Sequence, residues 1–170
     1  MSRNSSTRRW LPSYVDVLAL PAAPIRVVPK EFGDGNGHLN VRNYLGILDD
    51  AEWTLFDAFG AGNKASTAGI GGMFALEQYL TYRHEVLVGA EVAVHVRLVA
   101  RTEKLLHLVS YLVDHDQQQV AASMEALEAF VGYDTRRATP FGEHAAAVLD
   151  DWIHRGRGLP PPELSGAMSL

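Results

Sequence analysis

The stretch Lys30-Glu31-Phe32-Gly33-Asp34-Gly35-Asn36-Gly37-His38-Leu39-Asn40 runs directly into Val41-Arg42-Asn43-Tyr44-Leu45-Gly46-Ile47-Leu48-Asp49-Asp50-Ala51-Glu52-Trp53-Thr54-Leu55-Phe56-Asp57-Ala58-Phe59-Gly60, and its reading decides the fold. Three glycines and two asparagines within the first eleven residues exclude a regular helix or strand and leave a shaped loop. Asn40 stands where an N-cap belongs and Gly60 where a C′ residue belongs. Between them Tyr44, Ile47, Leu48, Ala51, Leu55, Ala58 and Phe59 recur at helical spacing, which predicts one helix over 41–59. At 1.5 Å per residue it extends about 28 Å, enough to cross a whole sheet, with Arg42, Asp49, Asp50 and Glu52 expected largely off the apolar stripe.

Upstream, Pro24 and Pro29 bracket the β-branched segment Ile25-Arg26-Val27-Val28, which suits a short edge strand. Before it, Trp10, Leu11, Tyr14, Val17 and Leu18 are spaced for a short amphipathic turn or two. Downstream, Ala61 to Gly72 is expected to be irregular. Met73 to Tyr133 then reads as four strands, broken near Val86–Gly89, Arg101–Lys104 and Asp114–Gln118. Val92, Val94, Val96 and Leu98 alternate with Glu91, Ala93, His95 and Arg97, the period of a half-buried antiparallel strand. Leu105–Val113 and Gln119–Tyr133 flank a short polar turn and read as a hairpin. Ala145, Val148, Leu149 and Trp152 mark a last helix within Phe141–Ile153, and Pro160-Pro161-Pro162 is expected to end the ordered structure.

These elements imply an α+β layer architecture in which an antiparallel sheet wraps one long central helix. The expected organisation is an arm over 1–24, one domain over 25–157 that includes the C-terminal helix, and a mobile tail over 158–170. One sheet face serves the helix. The other stays exposed unless terminal segments or a second subunit cover it, and a homodimer is the natural remedy.

The 170 residues, 47% hydrophobic and 21% charged, exclude a fibrous or wholly disordered chain and fit roughly one domain. Without cysteines there are no disulfides, thiolate zinc sites or cysteine nucleophiles, so any nucleophile is oxygen or nitrogen. A net charge of −5 argues against broad phosphate-backbone binding, and no nucleic-acid partner is expected. The longest run free of charged residues, Ala65 to Leu76, falls short of the roughly 20 apolar residues that span a bilayer. Arg8-Arg9 precedes an apolar stretch that Pro12, Asp16, Pro21 and Pro24 interrupt, unlike a signal-peptide core, so a cytoplasmic location is expected.

Several motif chemistries are absent. Gly60 to Gly72 lacks the spacing of a phosphate-binding P-loop, and the seven histidines contain no H-x-x-x-H or H-E-x-x-H pair. His115 between Asp114 and Asp116 reads as a solvated hairpin turn rather than a metal site. No metal or redox cofactor is expected. The loop 34–40 is different, because it sets a carboxylate, an imidazole and amides among glycines just before a helix N-terminus. Each residue alone also has an ordinary turn-forming explanation.

The element order and the string Asp34-x-x-Gly37-His38-Leu39-Asn40-x-x-x-Tyr44-Leu45 resemble the hotdog-fold acyl-CoA thioesterases of the 4-hydroxybenzoyl-CoA type, over about Val27 to Tyr133. Members often read D-x-x-G-H-V-N, then an aromatic and a long central helix. The spelling Asp34-Gly35-Asn36-Gly37-His38, with Leu105-Leu106-His107-Leu108 and Ser123-Met124-Glu125-Ala126-Leu127, is similar to a branch associated with betainyl-CoA thioesterases and carnitine breakdown.

The resemblance implies hydrolysis of an acyl-CoA to free acid and CoA by a homodimer or dimer of dimers. Asp34 would be the catalytic carboxylate, attacking the thioester or activating a water. Backbone N–H groups near Gly71, Gly72 and Met73 would stabilise the oxyanion, although a flexible connector would be glycine-rich too. Asn36, Gly37, His38 and Asn40 would shape the substrate loop, with Asn40 also capping the helix. Tyr44 and one of Tyr79 or Tyr82, which alternate across a strand, could line an acyl pocket, with Glu77 adding charge. Core packing explains the same rings. Arg42, Arg83, Arg97, Arg101 and Lys104 are available for the CoA phosphates, and none is singled out by a motif. A non-catalytic acyl-CoA-binding or interaction protein on the same fold is the alternative.

Overall fold

The computed structural model describes residues 12–162, 164–168 and 170. Of the expected amphipathic turn, Trp10 and Leu11 lie outside the described residues. The rest is a one-turn helix, α1 (Tyr14–Val17), capped by Ser13. A short strand β1 (Arg26–Val27) and a 3₁₀ turn over Lys30–Phe32 lead into the glycine loop. The long helix follows as α2 (Val41–Phe56) and tightens into a 3₁₀ turn over Asp57–Phe59. Asn40 caps its start, its Oδ1 accepting the Arg42 amide at 3.2 Å, and Gly60 ends it at φ +74°.

Ala61 to Gly72 is more ordered than its glycines suggest, because a short helix α3 (Asn63–Thr67) forms there and the next strand already begins at Gly71. Four strands then build the sheet: β2 (Gly71–Tyr82), β3 (Glu91–Arg101), β4 (Leu105–Asp114) and β5 (Gln119–Gly132). A two-residue strand β6 (Arg137–Ala138), absent from the sequence reading, adds to β5, and α4 (Glu143–Gly156) follows. The antiparallel order is β1-β3-β4-β5-β2, with β6 beside the end of β5. α2 lies across the inner face and buries Tyr44, Ile47, Leu48, Ala51 and Phe56 against Val94, Val96, Leu108, Leu112, Met124 and Ala126. α4 closes one end through Ala145, Leu149 and Trp152, with Phe59 edge-on to Trp152 at 5.9 Å. This is the hotdog arrangement.

Three expectations about burial need correction. Glu52 is not off the apolar stripe. It is 1% exposed, because its position four residues after Leu48 and four before Phe56 points it at the sheet. Asp114, expected in a solvated turn, is 2% exposed, and its Oδ1 caps the turn by accepting the Gln117 amide at 3.0 Å. Finally, β3, β4 and β5 are buried on both faces rather than half-buried.

The chain's own ends cause that burial. Val17 and Leu20 from the front, with Leu159 and Leu164 from the back, pack over Val109, Tyr111, Val113 and Val120 on the outer face. Pro21 and Ala23 hydrogen-bond the β3 backbone at Val96 and Val94. The tail expected to be mobile is tied at two buried points. Arg97 donates to the carbonyls of Gly156 at 2.7 Å and Pro160 at 2.5 Å, and Glu125, paired with His107 at 2.8 Å, accepts the Ser165 amide. The outer face therefore has its cover without a second subunit. Of the two edges among the described residues, the long one is β2, opposite the two-residue β1; it pairs with β5 alone and exposes Phe74, Leu76, Tyr79 and Tyr82.

Candidate active site

The loop before α2 is built around the Asp34 carboxylate. Its Oδ1 accepts the backbone amides of Asn36 at 2.8 Å and His38 at 3.1 Å, while the Asp34 amide donates to the His38 carbonyl at 2.8 Å. The turn needs Gly37 at φ +82°, a conformation a side chain resists. Further bonds fix the loop to the segment after β2: Leu39 N–H to Val86 O at 2.7 Å and Val88 N–H to Gly37 O at 3.0 Å. On the other side Phe32 O accepts both the Asn40 amide and Asn43 Nδ2. Asp34 itself stays exposed. The Asn36 amide, then the His38 amide, hold its carboxyl below the ordinary aspartate range, so it is ionised at neutral pH.

Asp34, His38, Leu39, Asn40, Val41 and Tyr44 from the loop and helix start share one pocket of about 390 Å³ with Tyr82, Arg83, His84 and Glu85 from the end of β2. Tyr44 is 5% exposed and meets Tyr82 edge-to-face, with ring centroids 5.1 Å apart. Burial pushes the Tyr44 hydroxyl up from its ordinary value, so it remains protonated. His38 Nε2 sits 3.3 Å from Glu85 Oε2. An ionised carboxylate and a hydroxyl-bearing aromatic wall in one recess can polarise or attack an activated carbonyl.

The structure thus brings together Asp34, His38, Asn40 and Tyr44, with Asn36 and Gly37 forming the turn behind the carboxylate. Tyr82, not Tyr79, joins Tyr44, and Glu77 is absent from the lining of this pocket. Gly71, Gly72 and Met73 stand elsewhere in the chain. They begin β2 whereas Tyr82 ends it, about 36 Å away at strand rise. Close packing explains the two glycines there: a Cβ on Gly71 would lie 2.5 Å from Val131 O, and one on Gly72 would lie 2.6 Å from the Trp53 ring. Of the basic residues considered for CoA, Arg97 is buried under the tail and Arg101 forms a two-pronged bond with Asp150, whereas Arg83 lines the pocket.

A second acidic group lies under α2. The Ser110 hydroxyl donates to Glu52 Oε1, and Glu52 interacts with Glu128 of β5, which is 3% exposed. Burial is the main cause that pushes both carboxyls up, Glu52 well above its ordinary value and Glu128 to about 7. Sequence reading missed this pair. Its signal was present in the i, i+4 stripe Leu48–Glu52–Phe56 and in the strand alternation that turns Ser110 and Glu128 inward with Leu108 and Ala126.

Residues 27–149 match the family model of the thioesterase-like superfamily. The chain is 32% identical over 136 residues to a betainyl-CoA thioesterase of Pseudomonas aeruginosa, covering 80% of this chain and 86% of that protein. It is 25% identical over 142 residues to an L-carnitine dehydrogenase/betainyl-CoA thioesterase of Ruegeria pomeroyi, covering 84% of this chain but 28% of that longer protein. The solved structure of the SAV2348 protein from Staphylococcus aureus in complex with CoA superposes with a TM-score of 0.73 at 24% identity, covering 89% of this chain and 95% of that one. The Asp34 loop, the central helix and strands β2 to β6 fall within the matched span, and the chain belongs to the thioesterase-like superfamily.

Proposed function

We propose that this thioester hydrolase acts on a small acyl-CoA carrying a quaternary ammonium, betainyl-CoA, with Asp34 as its catalytic carboxylate. The observation that carries this reading is one pocket holding both an ionised, amide-anchored Asp34 and the Tyr44–Tyr82 aromatic pair. A thioester is already activated, so a positioned carboxylate suffices without a triad. In one route Asp34 attacks the carbonyl carbon, the C–S bond breaks, CoA leaves as thiolate and water hydrolyses the resulting anhydride. In the other, Asp34 takes a proton from water as that water adds. Aromatic faces stabilise a trimethylammonium group, and the relative named for betainyl-CoA supports that choice of acyl group.

The proposed assembly is a homodimer closed along the open edge of β2. Two antiparallel copies of this strand would set the Gly71–Met73 end of one chain beside the partner's strand end, which is how one chain's oxyanion donors could serve the other's carboxylate. The exposed Phe74, Leu76 and Tyr79 support a buried seam there. Among the described residues no helix is long and apolar enough to cross a membrane, and a CoA-linked substrate supports a cytoplasmic location.

The test measures free-thiol release from betainyl-CoA, its neutral isostere 3,3-dimethylbutanoyl-CoA, benzoyl-CoA and a long-chain acyl-CoA, with light scattering for mass. Betainyl-CoA is expected to give the highest kcat/KM. Asp34→Asn should lose on the order of 10²–10⁴-fold in turnover while folding normally. Wild-type turnover by that variant removes Asp34 from the mechanism, and better hydrolysis of the long chain overturns the substrate.

A further inference from the structure

We propose that Glu85 is the residue that selects a cationic acyl group, a role resting on the betainyl-CoA reading above. The substrate's size limits where its charge can be read. In a betainyl thioester the ammonium nitrogen lies only two bonds from the carbonyl carbon, about 2.5 Å. The residue that recognises the cation must therefore line the same pocket as Asp34.

Among the described residues, the carboxylates lining that pocket are Asp34 and Glu85. Asp34 must face the carbonyl, and its loop amides fix it there. Glu85 is the remaining one. Arg83 and His84 line the same recess beside Glu85. Glu85 has the freedom to meet a cation: its side chain is 67% exposed, and its contact with His38 Nε2 is 3.3 Å. The tyrosine pair supplies the soft, apolar part of the recognition and Glu85 the charge.

The negative field also continues past Glu85. The same side chain lines an adjoining cavity of about 430 Å³ that holds Asp114 and Asp116. Glu85 thus lines two adjoining recesses that both carry carboxylates, a field that favours a cation and from which an uncharged acyl group gains nothing.

The experiment compares kcat/KM for betainyl-CoA and 3,3-dimethylbutanoyl-CoA in the wild type, in Glu85→Gln and in Glu143→Gln. The last removes the same charge from the exposed first turn of α4. The expected result is a cation-over-isostere ratio that falls roughly 2- to 5-fold in Glu85→Gln and is unchanged in Glu143→Gln. A wild type that prefers betainyl-CoA together with a Glu85→Gln protein of the same ratio overturns the role of Glu85 and leaves the substrate reading standing. Equal losses on both substrates also overturn it, since Glu85 would then only hold His38. A wild type with no preference for the cation overturns the substrate reading itself.

Discussion

Raising the pH from 5 to 7.5 should destabilise this protein, and the buried Glu52–Glu128 pair sets the size of the effect. Glu128 is held protonated up to about 7 against an ordinary 4.5, chiefly by burial. Between those values the unfolded chain has lost a proton that the folded chain keeps, so folding takes up a proton and stability falls as pH rises through the window. Above about 7 the native carboxyl ionises as well and the penalty levels off. A displacement of this size is worth on the order of 3 kcal/mol. Glu52 shifts in the same direction and adds to it. For a chain of this length the melting temperature should drop by roughly 6–12 °C across the range.

The assay is scanning calorimetry at fixed ionic strength, with the double variant Glu52→Gln/Glu128→Gln beside the wild type. The amides keep the shape, the carboxamide oxygen of Glu52→Gln still accepts from Ser110, and neither side chain titrates. The double variant should lose the fall. Glu128→Gln alone should keep the part due to Glu52. His95 works the other way, since burial lowers its pKa and its contribution is lost as the pH falls, but it is common to all the proteins and cancels in the difference. A wild-type Tm that is flat from pH 5 to 7.5, or a double variant as pH-dependent as the wild type, would refute the reasoning.

Asn40→Ala removes the cap on α2 and should cost about 1 kcal/mol by urea denaturation, with a smaller effect on turnover than any change at Asp34. Gly72→Ala forces a methyl against Trp53 and the Tyr133 hydroxyl and should cost about 1–3 kcal/mol, read as a lower denaturation midpoint. Arg97→Met strands the carbonyls of Gly156 and Pro160; a loss of about 2–4 kcal/mol is expected, with faster proteolysis of the tail, and an unchanged cleavage rate would show that Arg97 does not hold it. Because its loop amides keep Asp34 ionised below the ordinary aspartate range, kcat/KM should stay level from pH 8 down to pH 5, and an acid limb near pH 6 would assign the base elsewhere.

The long helix, its cap and its terminating glycine were legible because each rests on local chemistry: an amide acceptor at Asn40, a 3.6-residue period and a left-handed Gly60. The strands were legible by alternation. Their second buried face was not, because Val17, Leu20, Leu159 and Leu164 are far in sequence from the strands they cover. The Asp34 turn could be read from its glycines. Glu85 could not, since it sits between β2 and β3 and acquires meaning only where the loop folds back to it through Val86 and Val88. Glu52 shows the opposite failure: its period was readable, but its charge suggested the wrong face.

The two chain ends share one apolar patch on the outer face, where Tyr14, Leu159 and Leu164 pack on a single cluster with Val17 and Leu20. In a variant that begins at Pro12, a short linker from the tail to that residue should therefore be tolerated, and the chain could be reopened at the exposed turn Asp134-Thr135-Arg136 as a circular permutant with the Asp34 loop untouched. Because neither end covers the patch alone, trimming one leaves the other resting on a half-bare surface. Removing both should then cost less than the two separate losses added together.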